Sequence, residues 1–169
     1  FTGSQTTNST NLNQTTAYAV TWSTSTIDQI YFAHNAGNLE RAVVKVAGDY
    51  LLNLSLPISS ADPNTMVGAT VKVNGTTYQS GVARSSFMSG TSDQDQASTN
   101  LSLLLEDLSP NDYIEIFVHK VGANGTVTVL NLARLSLEYV PDPGKVVFAA
   151  IATTTANGTN FNSTVSPLT

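Results

Sequence analysis

Apolar and polar side chains alternate with a period of two along much of the chain. In residues 50–56 every second position is Tyr or Leu, and Asn53 and Ser55 lie between those positions. Because successive side chains of a strand point to opposite faces, this pattern predicts a strand with one buried face. Helical periodicity is weak throughout, and the best short helix candidate is residues 92–98.

Turn signals separate the alternating segments at regular spacing. An Asn-Gly pair between two such segments favours a tight hairpin turn, and Pro or Asn-Asp stops a strand. The turns are expected at residues 74–75, 110–112, 124–125 and 141–144. Many short strands divided in this way predict an all-β fold, an antiparallel jelly-roll sandwich of about eight to ten short strands.

The end of the chain repeats its beginning. Leu12 is matched by Phe161 at an offset of 149, and Phe1 is matched by Phe148 if two inserted residues are allowed. The identical pairs at the same offset are Thr6/Thr155, Asn8/Asn157, Thr10/Thr159, Asn11/Asn160, Asn13/Asn162 and Thr15/Thr164. A repeated segment predicts a repeated unit. The alternative is two unrelated polar tails, since both segments are rich in Thr and Asn.

The repeat suggests three parts. A jelly-roll domain is expected over residues 1–140 and a Pro/Gly linker over residues 141–145. Residues 146–169 form an extended segment that resembles the start of a second repeat and is a candidate donor strand. Its apolar anchors would be Val146, Val147, Phe148, Ile151 and Phe161. Residue 1 is Phe and no signal peptide precedes it, so we expect a start that was processed, trimmed or cut from a longer chain.

The composition of the chain restricts the classes of partner that we expect it to bind. Charged residues make up 11% of the 169 residues, and the net charge is −5 without a basic cluster. This charge argues against a nucleic acid or an anionic membrane as partner. No stretch is long and apolar enough to cross a bilayer, so membrane insertion is not expected. The absence of Cys excludes disulfides and thiolate metal sites. Solubility through Thr, Ser, Asn and Gln is typical of extracellular and virion-surface proteins.

Several short motifs together resemble the tumour-necrosis-factor-like jelly roll. They are the Gly-x-Tyr sequence at residues 48–50, the hairpin at 73–75, the leucine–turn–Asp–strand stretch at 105–116 and the closing strand at 135–140. The resemblance covers about residues 15–140 and implies that fold. Animal members are receptor ligands, but this chain lacks Cys and an obvious receptor-loop signature, so that role is not carried over.

The opening stretch resembles something narrower. Residues 6–15, followed by Trp22, look like the start of repeated jelly-roll units in large phage and bacterial surface proteins. This resemblance implies a structural or attachment role on a virion or filament, with trimeric or tandem packing.

Catalytic chemistry finds little support. His34 precedes a turn and His119 lies in a strand, and neither has a nucleophile and an acid near it in sequence. No catalytic residue and no cofactor are therefore predicted, and we expect a protein that is not an enzyme. Asp93 and Asp95 lie in a polar loop as weak calcium candidates, but they lack the spacing and the glycine of a calcium loop. A solvated loop is the favoured interpretation.

Eight Asn-x-Ser/Thr sequons occur in the chain. In a secreted protein such sequons accept glycans, whereas a chain rich in Thr and Asn also makes them by chance. Asn53 lies in the middle of a strand, and Asn74 and Asn124 are turn formers, which favours a structural role for these three. The glycosylation candidates are Asn8, Asn13, Asn100, Asn157 and Asn162.

The pattern as a whole favours a structural, non-enzymatic assembly module of an extracellular filament, fibre or virion surface. Its partners would be copies of itself or adjacent repeats, joined by edge-strand pairing through the terminal segments. One alternative is a carbohydrate- or receptor-binding head or adhesin domain that contacts surface glycans through Trp22 and Tyr78. Another is a phage capsid decoration protein.

Overall fold

The computed structural model describes residues 1–12, 16–61, 65–85, 88, 95–122 and 126–141. Twelve strands lie in these ranges, and no helix does. Their bounds are β1 Thr2–Ser4, β2 Tyr18–Ala19, β3 Thr24–Thr26, β4 Phe32–Asn35, β5 Asn38–Val44, β6 Gly48–Ser60, β7 Thr65–Val73, β8 Thr76–Arg84, β9 Gln96–Leu108, β10 Tyr113–Gly122, β11 Val127–Val129 and β12 Arg134–Val140. The predicted all-β, antiparallel jelly-roll sandwich is confirmed.

The strands form two antiparallel sheets of six. Sheet I contains β1, β3, β6, β9, β11 and β12, and sheet II contains β2, β4, β5, β7, β8 and β10. The count exceeds the expected eight to ten because short strands such as β1 and β3 are polar. Their Thr and Ser residues show no apolar alternation, so periodicity could not reveal them.

Strand β6 is the centre of sheet I. On one side it pairs with β9, and on the other side it pairs first with β12 and then with β11. Tyr50 and Leu52 are fully buried, whereas Asn53 and Ser55 are exposed. The predicted half-buried strand is therefore confirmed, and its polar residues lie on the outer face of sheet I.

The Asn74-Gly75 hairpin between β7 and β8 is also confirmed. Asn74 and Gly75 have φ angles of 53° and 76°, as a two-residue turn that matches the strand twist requires. The Asn74 amide oxygen accepts a hydrogen bond from Tyr113 N, and its Nδ2 donates to Asp112 Oδ1 at 2.7 Å. This amide therefore joins the hairpin to the turn before β10. The predicted Asn124-Gly125 turn lies outside the described residues.

An aromatic cluster closes one end of the core. The Tyr50 ring meets the rings of Phe32 and Tyr139 edge to face, at centroid distances of 5.3 and 5.4 Å. Its hydroxyl donates a hydrogen bond to the Val46 carbonyl. Burial, with a smaller contribution from Tyr139, raises the pKa of Tyr50 above its ordinary value. Tyr50 thus combines full burial of its ring with one satisfied polar atom.

Replacing Tyr50 by Phe should lower the free energy of unfolding by roughly 1 kcal/mol near neutral pH, because the Val46 carbonyl loses its donor. The loss should shrink above about pH 10, where the unfolded wild-type chain ionises at Tyr50 while the folded chain, with its raised pKa, does not. Ionisation then destabilises the wild type and not the variant. Urea unfolding across this pH range measures the difference, and a difference that stays constant would contradict the expectation.

Candidate functional site

The N-terminal segment, residues 1–12, lies in sheet I beside β12 and β11. Its first part is β1, which pairs with β12 on one side and with β3 on the other. Phe1 adds two main-chain hydrogen bonds, since its nitrogen donates to Leu137 O and its carbonyl accepts from Leu137 N. The segment therefore begins as a true strand of the sheet.

Beyond β1 the segment continues antiparallel to residues 127–133 without regular strand geometry. Gln5 N donates to Ala133 O, Ser9 N to Val129 O and Leu12 N to Val127 O, at 2.8 to 3.0 Å. These bonds place residues 1–12 against residues 127–137, which belong to β11, β12 and the turn between them. We call residues 127–137 the receiving edge.

Polar side chains complete the pairing where the segment is irregular. Three acceptor oxygens, Asn8 Oδ1, Ser9 Oγ and Asn11 Oδ1, receive hydrogen bonds from the backbone N–H groups of residues 131, 129 and 127 respectively, each at 2.9 Å. An unpaired N–H at a buried sheet edge is costly, and a short amide or hydroxyl side chain can replace a partner carbonyl. The polar side chains of the segment therefore contribute directly to its contact with residues 127–131.

Two apolar side chains anchor the segment at its ends. Leu12 is 1% exposed and Phe1 is 7% exposed. The Phe1 ring packs on Phe32 and on His34, with centroids 6.2 and 5.4 Å away. Between the anchors, a Cβ on Gly3 would lie 2.9 Å from Trp22 Cβ, so only glycine allows this approach. The segment thus belongs to the domain core at both ends.

The predicted ligand contact through Trp22 is wrong. Trp22 has 0% exposure, and its ring lies under Gly3 of β1, where no glycan can reach it. Aromatic residues in a polar stretch suit a sugar site, but here the polar stretch covers the ring. Tyr78 is half-buried, and its hydroxyl accepts a hydrogen bond from Glu106 N. That bond ties β8 of sheet II to β9 of sheet I.

The two histidines have structural contacts. His34 Nδ1 lies 3.0 Å from Ser25 Oγ, and Nε2 lies 3.0 Å from the Leu39 carbonyl. The His119 ring lies over Gly68, where an added Cβ would come within 2.5 Å of the ring. Each imidazole therefore fills space or links neighbouring strands.

Arg41 forms ion pairs with Glu115 and Glu40 in sheet II. Arg41 Nε donates to Glu115 Oε1 at 3.0 Å, and its guanidinium lies over the Tyr113 ring. The bond to Glu115 raises the pKa of Arg41. Glu115 is 5% exposed, so its carboxylate is satisfied within the sheet. The bond to Arg41 therefore accounts for the buried carboxylate of Glu115, and no catalytic role is needed to explain it.

The structure gives the metal candidates no further support. Within the described residues no group of three or more His, Asp or Glu side chains could hold a metal ion. Asp95 accepts a hydrogen bond from Ser60 N through its carbonyl, and Asp93 lies outside the described residues. In the same part of the chain no helix is long and apolar enough to span a membrane.

Several of the residues by which residues 1–12 make these contacts have counterparts in the C-terminal repeat. The counterparts of Asn8 and Asn11 are Asn157 and Asn160, so two of the three side-chain acceptors recur. The anchors recur as well, since Leu12 corresponds to Phe161 and Phe1 to Phe148, whereas Ser9 corresponds to Gly158 and its hydroxyl is lost. The predicted assembly residues Val146, Val147, Phe148, Ile151 and Phe161, and the sequons at Asn13, Asn157 and Asn162, lie outside the described residues.

Sequence reasoning missed the receiving edge and the acceptor role of Asn8 and Asn11. The signal was present, because these asparagines recur in one register with the apolar residue that follows them. Their hydrogen-bond partners are backbone N–H groups, however, and the residue types in a sequence do not reveal which backbone groups will be the partners.

Comparison with solved structures identifies the fold. The chain is similar to murine APRIL at pH 8.5, with 11% identity, a TM-score of 0.55, and coverage of 82% of this chain and 96% of that chain. It is similarly related to murine APRIL at pH 8.0, with 12% identity, a TM-score of 0.51, and coverage of 83% and 100%. The fold is a tumour-necrosis-factor-like jelly roll. At this identity the likeness shows the fold alone.

Sequence comparisons add no family. No family model matches this chain, and no curated protein does. The tumour-necrosis-factor-like fold confirms what residues 48–51, 73–75, 105–116 and 135–140 implied. The phage and bacterial context implied by residues 6–15 stays a prediction.

Single substitutions in the N-terminal segment should show how much each of its contacts contributes to the free energy of unfolding. Leu12→Ala should lower the free energy of unfolding by about 2–4 kcal/mol, because a buried anchor is lost. Asn11→Ala should cost about 1–2 kcal/mol, because Val127 N loses its acceptor. The exposed Thr10→Ala is the matched control and should stay within about 0.5 kcal/mol. Urea unfolding measures all three, and a Thr10 effect equal to that of Leu12 would show that the contacts do not hold the segment.

Proposed function

We propose that the chain is a structural, non-enzymatic assembly module of an extracellular filament, fibre or virion surface. Neighbouring units are joined by edge-strand pairing through their terminal segments. One observation carries this proposal: the residues by which residues 1–12 hold the receiving edge recur near the C-terminal end. A segment with the same acceptors and anchors can occupy the same kind of edge in another unit.

The mechanism is strand pairing without chemistry. Main-chain hydrogen bonds supply the pairing, and amide side chains satisfy the N–H groups that irregular geometry leaves over. Phe148 and Phe161 would take the anchor positions of Phe1 and Leu12. Val146, Val147 and Ile151 would add apolar contact beside them. Copies of the chain or adjacent repeats are therefore the partners.

Two arrangements realise this proposal. In a tandem array, the C-terminal segment begins the next unit of the same polypeptide and fills that unit's own receiving edge. In donor-strand exchange, it replaces residues 1–12 of a separate chain, which must first release their edge. The denatured mass of the native polypeptide distinguishes them: a mass near 17.8 kDa would favour exchange between separate subunits, and a mass several times larger would favour a tandem array.

The extracellular or virion-surface location is part of the proposal. It is supported by the low charge of 11% and by a fold shared with tumour-necrosis-factor-family proteins. The net charge of −5 supports a protein without nucleic-acid partners. The structural contacts of both histidines support a role without catalysis.

The carbohydrate-binding alternative has lost one of its two contacts through the burial of Trp22. Tyr78 is the other, and its hydroxyl is engaged by Glu106 N. Glycan-array binding that disappears in Tyr78→Ala, with folding intact, would favour that alternative. A capsid decoration protein would instead form trimers that attach to heads rather than to one another.

Deleting residues 145–169 should abolish polymerisation and leave the domain folded, because the described core lies within residues 1–141. Electron microscopy measures the filaments, and thermal unfolding measures the domain. Filaments of wild-type length after the deletion would contradict the proposal.

Point variants sharpen this test in the intact chain. Phe161→Ala and Asn160→Ala remove an anchor and an acceptor, so each should weaken polymerisation by at least about tenfold if it costs about 1.4 kcal/mol of contact. Thr159→Ala matches the exposed Thr10 and should polymerise like the wild type. Equal effects of all three variants would show that the contacts of residues 1–12 do not describe the C-terminal segment.

A further inference from the structure

The register of β6 and β9 places two sequons side by side. Residues 53–55 and residues 100–102 are each Asn-Leu-Ser, and they pair antiparallel, residue for residue. Asn53 lies opposite Ser102, and Asn100 lies opposite Ser55. We infer that Asn53 and Asn100 are a paired N-glycosylation site on the outer face of sheet I.

Strand geometry presents both sequons correctly. Because side chains alternate between faces, the Asn and Ser of each sequon point the same way and the Leu points the other way. Asn53, Ser55, Asn100 and Ser102 are exposed, whereas Leu54 is 4% exposed and Leu101 packs against the core. A central position in a strand therefore does not exclude Asn53 as an acceptor, contrary to the sequence-based expectation.

The surrounding face suits a bulky polar group. The rows that contain the two sequons continue across the sheet through Ser136 and Thr2, and through Arg134 and Ser4. These neighbours are short hydroxyl side chains and one exposed Arg. The sequon residues are themselves exposed, and N-glycans are bulky groups carried on protein surfaces.

The Asn side chains of these described sequons differ in the hydrogen bonds that they make. Within the described residues no hydrogen bond holds the Asn53 side chain, and Asn100 Nδ2 donates only to the exposed Ser98 hydroxyl at 2.9 Å. Asn74 has its Nδ2 on Asp112 and its Oδ1 on Tyr113 N. A sugar on Asn74 would compete with a bond that positions the hairpin. Asn74 is therefore the matched internal control.

Glycans on Asn53 and Asn100 would keep the outer face of sheet I turned towards solvent. Diagonal neighbours on adjacent strands lie about 7–8 Å apart, so two attached chains would cover the centre of this face. Residues 134–137 of the receiving edge belong to β12, which pairs directly with β6 beside Asn53 and Ser55. The inference requires a secreted chain but does not depend on edge-strand pairing, so either can fail alone.

Trypsin separates the relevant sequons. Cleavage after Lys and Arg gives residues 46–72 with Asn53, residues 73–84 with Asn74, and residues 85–120 with Asn100. In protein isolated from its source, mass spectrometry should find glycan on the first and third peptides and none on the second. Finding either the Asn53 or the Asn100 peptide only unmodified would overturn the inference, and so would equal occupancy of Asn74.

Serine variants test the sequons without changing either asparagine. Ser55→Ala and Ser102→Ala, made in the source organism, should each remove the mass of one glycan from the intact protein. Ser136→Ala lies on the same face outside any sequon and should leave the mass of the glycans unchanged. An unchanged glycan mass in Ser55→Ala and Ser102→Ala would overturn the inference. Because the serines are exposed, these variants fold on the same core.

Discussion

The proposed assembly depends on how β11 and β12 satisfy the backbone N–H groups that face residues 1–12. Residues 1–12 lie beside β12 and β11 of sheet I, and only β12 is paired with a regular strand, β1, beyond which lies β3. Along β11 the chain uses Asn and Ser oxygens in place of carbonyls. Buried N–H groups without acceptors would destabilise the sandwich, so the N-terminal segment is a structural requirement of the domain.

This constraint accounts for the composition of the segment. A strand that pairs through its backbone needs few apolar side chains, and one that pairs irregularly needs short acceptors. Thr, Asn and Ser meet both needs. The two apolar anchors, Phe1 and Leu12, then fix its register at each end.

The sequence predicted the fold where burial imposes a period of two. Residues 50–56 and the Asn74-Gly75 turn are examples, because one face of β6 meets the core and the turn needs positive φ angles. It did not predict β1 and β3, whose polar residues are held by pairing rather than by burial. The receiving edge and the register of the two sequons arise from strand order, which a single sequence does not encode locally. Trp22 was misjudged for the same reason, since its cover comes from a distant strand.

The repeated segment also limits how the proposed assembly could occur. If residues 148–161 make nearly the same contacts as residues 1–12, exchange gains little free energy from the contacts alone. Phe161 adds apolar area relative to Leu12, and Gly158 loses the acceptor of Ser9, so the differences oppose each other. A segment on the same polypeptide competes at an effective concentration on the order of millimolar. A neighbouring chain therefore displaces residues 1–12 only when its own segment binds better, whereas a tandem repeat needs no displacement. Contact energies thus favour the tandem arrangement, and exchange would require additional stabilisation from Val146, Val147 and Ile151.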